Sequence, residues 1–250
     1  MNVPFRARVD ALVAAHPVVV ANPFTSAFAR GGATSDDVRI FAVQFSVFSH
    51  LFIEAQLRKC LNAETIESYR AAKEILMNEL GVAFGRGGSV DGSRFRFDAA
   101  HFEWLARFCA VLGLDWNEIG KRRLGTPATL AFCDTLIEVY GAEDSSTAAG
   151  ASYAIEHWAA AGFWKELIAG LRAFRTRACP ELPLAFWTFH DALEDQHAAH
   201  TADELDAMIA QPGFDEEGFL AGARAVLDAT WGFWIGLLHT TSVAGFAVAS

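Results

Sequence analysis

The stretch HDALEDQH, residues 190–197, places two imidazoles and a carboxylate at helical spacing. Because successive residues of an α-helix turn by about 100°, positions i, i+4 and i+7 fall within roughly 60° of one another. His190, Glu194 and His197 therefore share one face of the predicted helix. The preceding segment LPLAFWTF, residues 182–189, is apolar and aromatic. This pattern indicates either half of a metal site or the solvated back of an amphipathic helix.

The periodicity of this segment extends along most of the chain and predicts an all-α protein. Apolar residues recur at spacings of three and four, and no stretch alternates in the manner of a strand. Capping residues and glycines mark several helix ends. The Gly-rich run 81–93 predicts a loop. Helices are predicted at about 5–15, 35–61, 64–82, 98–112, 127–140, 145–174, 182–209 and 215–241.

The composition predicts a single domain over residues 1–250 with a large core. Hydrophobic residues make up 52% of the chain, and no linker rich in Pro, Gly or Ser divides it. The four cysteines form no CxxC pair, and the first residues lack the apolar segment of a signal peptide. These features predict a cytoplasmic protein.

Charge and hydropathy restrict the expected partners. The formal net charge is -10, which repels phosphate backbones and anionic lipid headgroups. The last 22 residues carry no Asp, Glu, Lys or Arg, but their polar residues favour a buried terminal helix or a dimer contact over a membrane anchor. We expect a small-molecule partner, no nucleic acid and no membrane, with a homodimer as an open alternative to a monomer.

A second unusual carboxylate lies in AGASYAIEHWAAAGFW, residues 149–164. Burying an unpaired carboxylate costs several kcal/mol. Glu156 is therefore expected to be exposed, neutralised or bound to a cation, and the small residues around it favour close helix packing. His157 lies about 100° away on the predicted helix, which indicates a packing histidine.

A third region contributes Glu79 and His101, from EILMNELG (74–81) and FDAAHFEWLARF (97–108). Each residue alone is an ordinary polar residue at a helix end. Together the three regions supply three carboxylates and three imidazoles, enough for two metal ions. These ligand types suit iron or manganese. The set contains no cysteine thiolate, which would favour zinc. Only one Glu-x-x-His occurs, at 194–197, which argues against a ferritin-like repeat of that motif.

The order of these segments resembles the haem-oxygenase-like di-iron oxidases and oxygenases, over roughly residues 35–240. The resemblance implies a haem-oxygenase-like bundle of about seven core helices that holds two non-haem irons. One departure concerns the first pair, which the family usually places within a turn or two of each other but which is here 22 positions apart. The positions that match the family's ligands are Glu79, His101, Glu156, His190, Glu194 and His197.

The resemblance also implies a function. Two Fe ions cycling between Fe(II) and Fe(III), with O2 as co-substrate, would oxidise an amino acid, an amine or a fatty-acid-like molecule by C–C cleavage, desaturation or N-oxygenation. Two alternatives stay open. One is a thiaminase-like hydrolase or a cofactor-independent oxidase on the same fold, and the other is a non-enzymatic helical binding protein.

An aromatic stripe on the helix predicted at 35–61 indicates a substrate pocket. Phe41, Phe45, Phe48 and Phe52 recur at spacings of four, three and four, which is typical of a core-facing helix. The resemblance implies that Phe45 and Phe48 form part of a pocket wall.

Three further residues have spacings that metal ligands use. His200 follows His197 by three positions, but it lies about 80° from His190 around the helix. His50 and Glu54 are spaced i, i+4, without a family match. We expect all three to lie outside the site.

Overall fold

The computed structural model describes residues 4–83, 94–95, 100–243 and 245, and the side chains of 83, 94–95 and 193–197 lie outside that description. The prediction of an all-α protein is confirmed. Within the described ranges the helices are α1 (Phe5–Ala15), α2 (Pro17–Val20), α3 (Pro23–Ala29), α4 (Ser35–Leu61), α5 (Ile66–Glu79), α6 (His101–Val111), α7 (Pro127–Tyr140), α8 (Ser145–Trp158), α9 (Trp164–Ala178), α10 (Ala185–Ile209) and α11 (Glu216–Thr240).

Most predicted helix boundaries agree with the structure to within a few residues, because local capping determines them. The hydroxyl of Thr34 accepts a hydrogen bond from the backbone N–H of Asp37, whose carboxylate accepts one from the N–H of Thr34. This capping box satisfies two backbone donors at the start of α4. Thr126 caps α7 in a similar way, and Asp144 caps α8.

The structure differs from the predicted local structure in three places. The helix predicted over 145–174 is interrupted by a π-helical segment, Ala159–Phe163. Gly162 has φ 98° there, a conformation open to glycine because it lacks a Cβ atom. The loop predicted over 81–93 contains β1 (Val82–Ala83), which pairs antiparallel with β2 (Arg94–Phe95). Helices α2 and α3 were not predicted.

One connected hydrophobic core runs from Phe5 to Val243 and includes residues of α1, α3, α4 and α6–α11. The helix α11 packs chiefly against α8 and α7. Its buried side chains extend as far as Leu237. Up to Thr240 the C-terminal segment therefore forms a buried helix, one of the alternatives that its composition left open.

Among the described residues, α4 is long and apolar enough to cross a membrane. The bent pair formed by residues 5–15 and 17–29 passes the same test if it counts as one span. Of the most apolar window of α4, 56% is buried inside the protein. The core helix of a folded protein meets the same criteria of length and composition.

Helices α8 and α11 approach each other so closely that glycines are needed at the contact. A Cβ atom added to Gly150 would lie 2.0 Å from the carbonyl oxygen of Phe219, and one added to Gly222 would lie 2.1 Å from that of Thr147. Real Cβ atoms do not approach backbone so closely. The two backbones therefore pack directly against each other, which fixes the position of α8.

We expect Gly222→Ala to lower the free energy of unfolding by about 1–3 kcal/mol, since the new methyl group forces α8 and α11 apart. Gly232, on the same helix, has no atom within 4 Å of the corresponding Cβ position. Gly232→Ala should therefore raise stability by about 0.5–1 kcal/mol, through the lower helix propensity of glycine. Urea denaturation of both variants measures this difference, and equal stability would contradict the close contact.

Candidate metal centre

Three helices bring Glu79, His101 and His190 together. Glu79 is the last residue of α5, His101 is the first of α6, and His190 lies in the second turn of α10. One ligand atom from each residue lies within 4.8 Å of the others. Because β1 and β2 pair antiparallel, the chain reverses direction between α5 and α6. This reversal places two residues 22 positions apart side by side.

The contact between Glu79 and His101 is buried. Nδ1 of His101 lies 3.0 Å from Oε2 of Glu79, and the His101 residue is 1% exposed. Among the residues that the structure describes, this nitrogen has no hydrogen-bond partner. A buried imidazole nitrogen beside a carboxylate oxygen, without hydrogen-bond alignment, fits two ligands that converge on a cation.

His190 is held in one orientation by its own helix and by aromatic rings. Its Nδ1 lies 2.7 Å from the carbonyl oxygen of Phe186. Nδ1 therefore carries the proton and donates it, which leaves Nε2 as the ligand atom of the neutral ring. The ring stacks on Trp164 at 5.1 Å between centroids and contacts the ring of His101 at 4.6 Å.

Glu156 lies in the wall of the same cavity as Glu79 and His190. It is 4% exposed, so the alternative that it is a surface residue was wrong. It does not belong to the group of three that converge within 4.8 Å. The cavity has a volume of about 50 Å³, and we refer to it as the inner cavity.

Aromatic side chains form most of the wall of the inner cavity. Phe45 and Phe48, which the sequence suggested as pocket residues, both line it. Sequence reasoning missed four other rings, and the signal for them was the density of aromatic residues at 158–164 and around Phe186. The missed rings are those of Trp158, Phe163, Trp164 and Phe186.

The backbone positions of Glu194 and His197 belong to α10, and they lie one and two turns beyond His190. Their side chains lie outside the described part of the structure. Their role as ligands therefore stays a prediction based on helical spacing and on the family resemblance.

The pair His50 and Glu54 does not form a metal site among the described residues. Nδ1 of His50 lies 2.9 Å from the carbonyl oxygen of Gly120, and its ring stacks on Phe102 at 4.3 Å between centroids. Glu54 instead forms an ion pair of 2.9 Å with Arg58 on the next turn of α4. Each residue has a structural partner of its own.

His200 and His157 also lie outside the group of three. Nδ1 of His200 lies 4.0 Å from a carboxylate oxygen of Glu74, and the side chain is 34% exposed. His157 stacks on Tyr153 at 3.6 Å between centroids, and burial lowers its pKa. A neutral, packed His157 agrees with the interpretation from sequence.

The cysteines offer no thiolate to the inner cavity. All four are free and buried, and none lines the cavity. Burial raises the pKa of both Cys109 and Cys133 to about 12, so these two groups are thiols at neutral pH. Carboxylate and imidazole are thus the available ligands, a set that suits iron or manganese.

Comparison with known proteins supports the fold. No protein-family model and no curated protein sequence matches this chain. A CADD-like protein of unknown function from Nostoc punctiforme superposes with a TM-score of 0.67 at 20% identity, over 95% of this chain and 96% of its own. A domain of unknown function with a heme oxygenase-like fold from Shewanella denitrificans gives 0.65 at 14% identity, over 98% and 97%.

A TenA homolog from Pseudomonas syringae pv. tomato superposes with a TM-score of 0.71 at 11% identity, over 94% of this chain and 93% of its own. At such identities the likeness concerns architecture alone. The chain therefore has the haem-oxygenase-like all-α fold that its sequence predicted.

The convergence of these three residues leads to a prediction about metal affinity. We expect Co²⁺, added to metal-free protein, to give a visible absorption band, and His101→Ala or His190→Ala to weaken its binding at least about tenfold. His200→Ala on the same helix α10 is the matched control and should leave binding unchanged. Equal Co²⁺ affinity in all four proteins would contradict a metal centre at this position.

Proposed function

We propose that this chain is a non-haem di-iron enzyme that uses O2 to oxidise a small organic substrate. The observation that carries the proposal is the convergence of Glu79, His101 and His190, beside a largely aromatic cavity that Glu79 and His190 line. A carboxylate and two imidazoles are expensive to bury unless hydrogen bonds or a cation compensate for their lost hydration. Fold likeness alone would not support an activity, since one fold hosts many functions.

The proposed ligand set divides into two groups. Glu79, His101 and His190 hold one ion, and Glu156, Glu194 and His197 complete the site for a second. Two Fe(II) ions carry a formal charge of +4, against -3 from the three carboxylates. The reduced centre is therefore close to neutral, which suits a buried, apolar position.

The chain's own residues would prepare this centre in three ways. The hydrogen bond from His190 to the carbonyl oxygen of Phe186 fixes the tautomer and the orientation of the ring. The aromatic wall, which includes Phe45 and Phe48, keeps bulk water away from the ligands and strengthens electrostatic interactions. The bound irons would supply the electrons that activate O2.

The size of the inner cavity limits the substrate. Its volume is about 50 Å³, whereas one water needs about 10–15 Å³ and an engineered cavity that binds benzene measures about 150 Å³. The part of the substrate that reaches the ligands must therefore be slim. This favours a small amino acid, an amine or a medium-chain acid with an apolar body and one polar end.

We also propose that the protein acts in the cytoplasm on a small molecule, without a nucleic-acid or membrane partner. The net charge of -10 supports this, because an acidic surface disfavours phosphate backbones and anionic lipids. A homodimer is compatible with the proposal.

Iron stoichiometry tests the proposed centre. After anaerobic loading with Fe(II), the wild-type chain should bind two irons. His190→Ala, Glu194→Ala and His197→Ala should each lower this number and abolish O2-dependent turnover, while circular dichroism shows unchanged helix content. His239→Ala, an exposed position at the end of α11, is the control. Wild-type iron content in all three ligand variants would refute the proposal.

The second candidate is the thiaminase-like hydrolase on the same fold that the sequence left open, and the fold shared with a TenA homolog is compatible with it. A hydrolase of this kind, like a helical binding protein, is expected to bind no stoichiometric iron. Iron analysis together with an assay for O2 consumption therefore separates the di-iron enzyme from both alternatives.

A further prediction concerns the class of compound that the protein oxidises. Small apolar amino acids, related amines and medium-chain acids should accelerate O2 consumption by the Fe(II)-loaded protein, because substrate displaces water from the cavity before O2 reacts. A stopped-flow screen of such compounds, with an oxygen electrode as the second readout, measures this. Acceleration by a sugar or a nucleotide, with none by these compounds, would show that the substrate class is wrong.

A further inference from the structure

A second cavity, which we call the outer pocket, borders the inner cavity. It has a volume of about 110 Å³, and its wall includes residues of α2 and α3, the π-helical segment and the start of α9. Trp158 and Phe163 line both spaces, and their rings stack at 4.2 Å between centroids. The metal centre proposed above does not use the polar groups of the outer pocket.

Glu166 supplies a negative charge to the outer pocket. Its two carboxylate oxygens accept hydrogen bonds from the hydroxyls of Thr25 and Ser26, the latter at 3.2 Å. No Lys, Arg or His among the described residues forms an ion pair with it. Two neutral donors hold the carboxylate in place and leave its charge unbalanced, so a cationic ligand would be attracted to it.

Asn22 supplies an unused donor. Its Oδ1 accepts hydrogen bonds from the backbone N–H groups of Phe24 and Thr25, at 3.1 and 3.3 Å, which fixes the orientation of the amide. Nδ2 is buried and has no hydrogen-bond partner in the described part of the chain, and the residue is 5% exposed and lines the pocket. A buried donor left unsatisfied destabilises the protein, and a ligand that accepts its hydrogen bond offsets this cost.

The indole of Trp158 adds a second such donor. Its Nε1 is buried in a residue that is 3% exposed, and no described residue forms a hydrogen bond with it. The outer pocket therefore combines one carboxylate with side chains that carry two unsatisfied N–H groups. This combination is complementary to a ligand that carries both a positive group and a hydrogen-bond acceptor.

We infer that the outer pocket binds a small molecule that carries an ammonium group and a carboxylate, with the ammonium at Glu166 and the carboxylate at Nδ2 of Asn22. A cavity of about 110 Å³ is somewhat smaller than the cavity of about 150 Å³ that accommodates benzene, so the ligand has few heavy atoms. Such a ligand is neutral overall and enters without adding net charge. The inference does not depend on the metal centre.

Calorimetric titration of the full chain with L-alanine tests this inference, with ethylamine and propionate as probes that carry only one of the two groups. L-Alanine should bind at least tenfold more tightly than either. Glu166→Gln, which removes the charge but keeps the shape, should weaken L-alanine binding at least tenfold. Asn22→Asp should do the same, because it removes the Nδ2 donor but keeps the oxygen that caps α3.

The matched control is Glu138→Gln, at an exposed glutamate of α7, which should bind L-alanine like the wild type. A repeat after chelation of metals separates this site from the inner cavity, and binding should persist. The inference is overturned if L-alanine does not bind. Water would then be the partner of the buried donors. The inference is also overturned if Glu166→Gln has no effect, or if chelation abolishes binding.

Discussion

The carboxylates of Glu79 and Glu156 line one small cavity that is otherwise largely aromatic. The side chain of Glu79 is 11% exposed, and Glu156 is 4% exposed. Burying one carboxylate in apolar surroundings is costly, and two that face the same space also repel each other. The surrounding helices must therefore hold both groups firmly. Close glycine contacts between α8 and α11 fix the helix that carries Glu156, and the pairing of β1 with β2 holds the end of α5 beside the start of α6.

The aromatic rings around the inner cavity have two roles. They contribute to the hydrophobic core, which connects α1 to the end of α11. They also confine the imidazole of His190, which stacks on Trp164 and donates a hydrogen bond to the backbone of its own helix. An imidazole confined in this way would lose little side-chain entropy on binding a metal, so the packing that stabilises the fold would also prepare the proposed site.

The interruption between α8 and α9 explains how two spaces lie side by side. At Gly162 the backbone leaves helical geometry, and the adjacent rings of Trp158 and Phe163 stack on each other. These two rings border the inner cavity with its converging ligands, and they also border the outer pocket with Glu166 and Asn22. One local break in a helix thus contributes a wall to both sites.

The sequence by itself determined the helical class, most helix boundaries and the shared face of residues 190–197, because periodicity and capping depend on neighbours within about one or two turns. The helical offset of His200 from His190 already indicated a position outside the site, whereas spacing alone could not exclude His50, which stands four residues before Glu54. Only the tertiary structure decided that Glu79 meets His101 across 22 positions and that Glu156 is buried beside them. Such contacts depend on chain reversal and on the packing of distant helices, which local geometry does not encode.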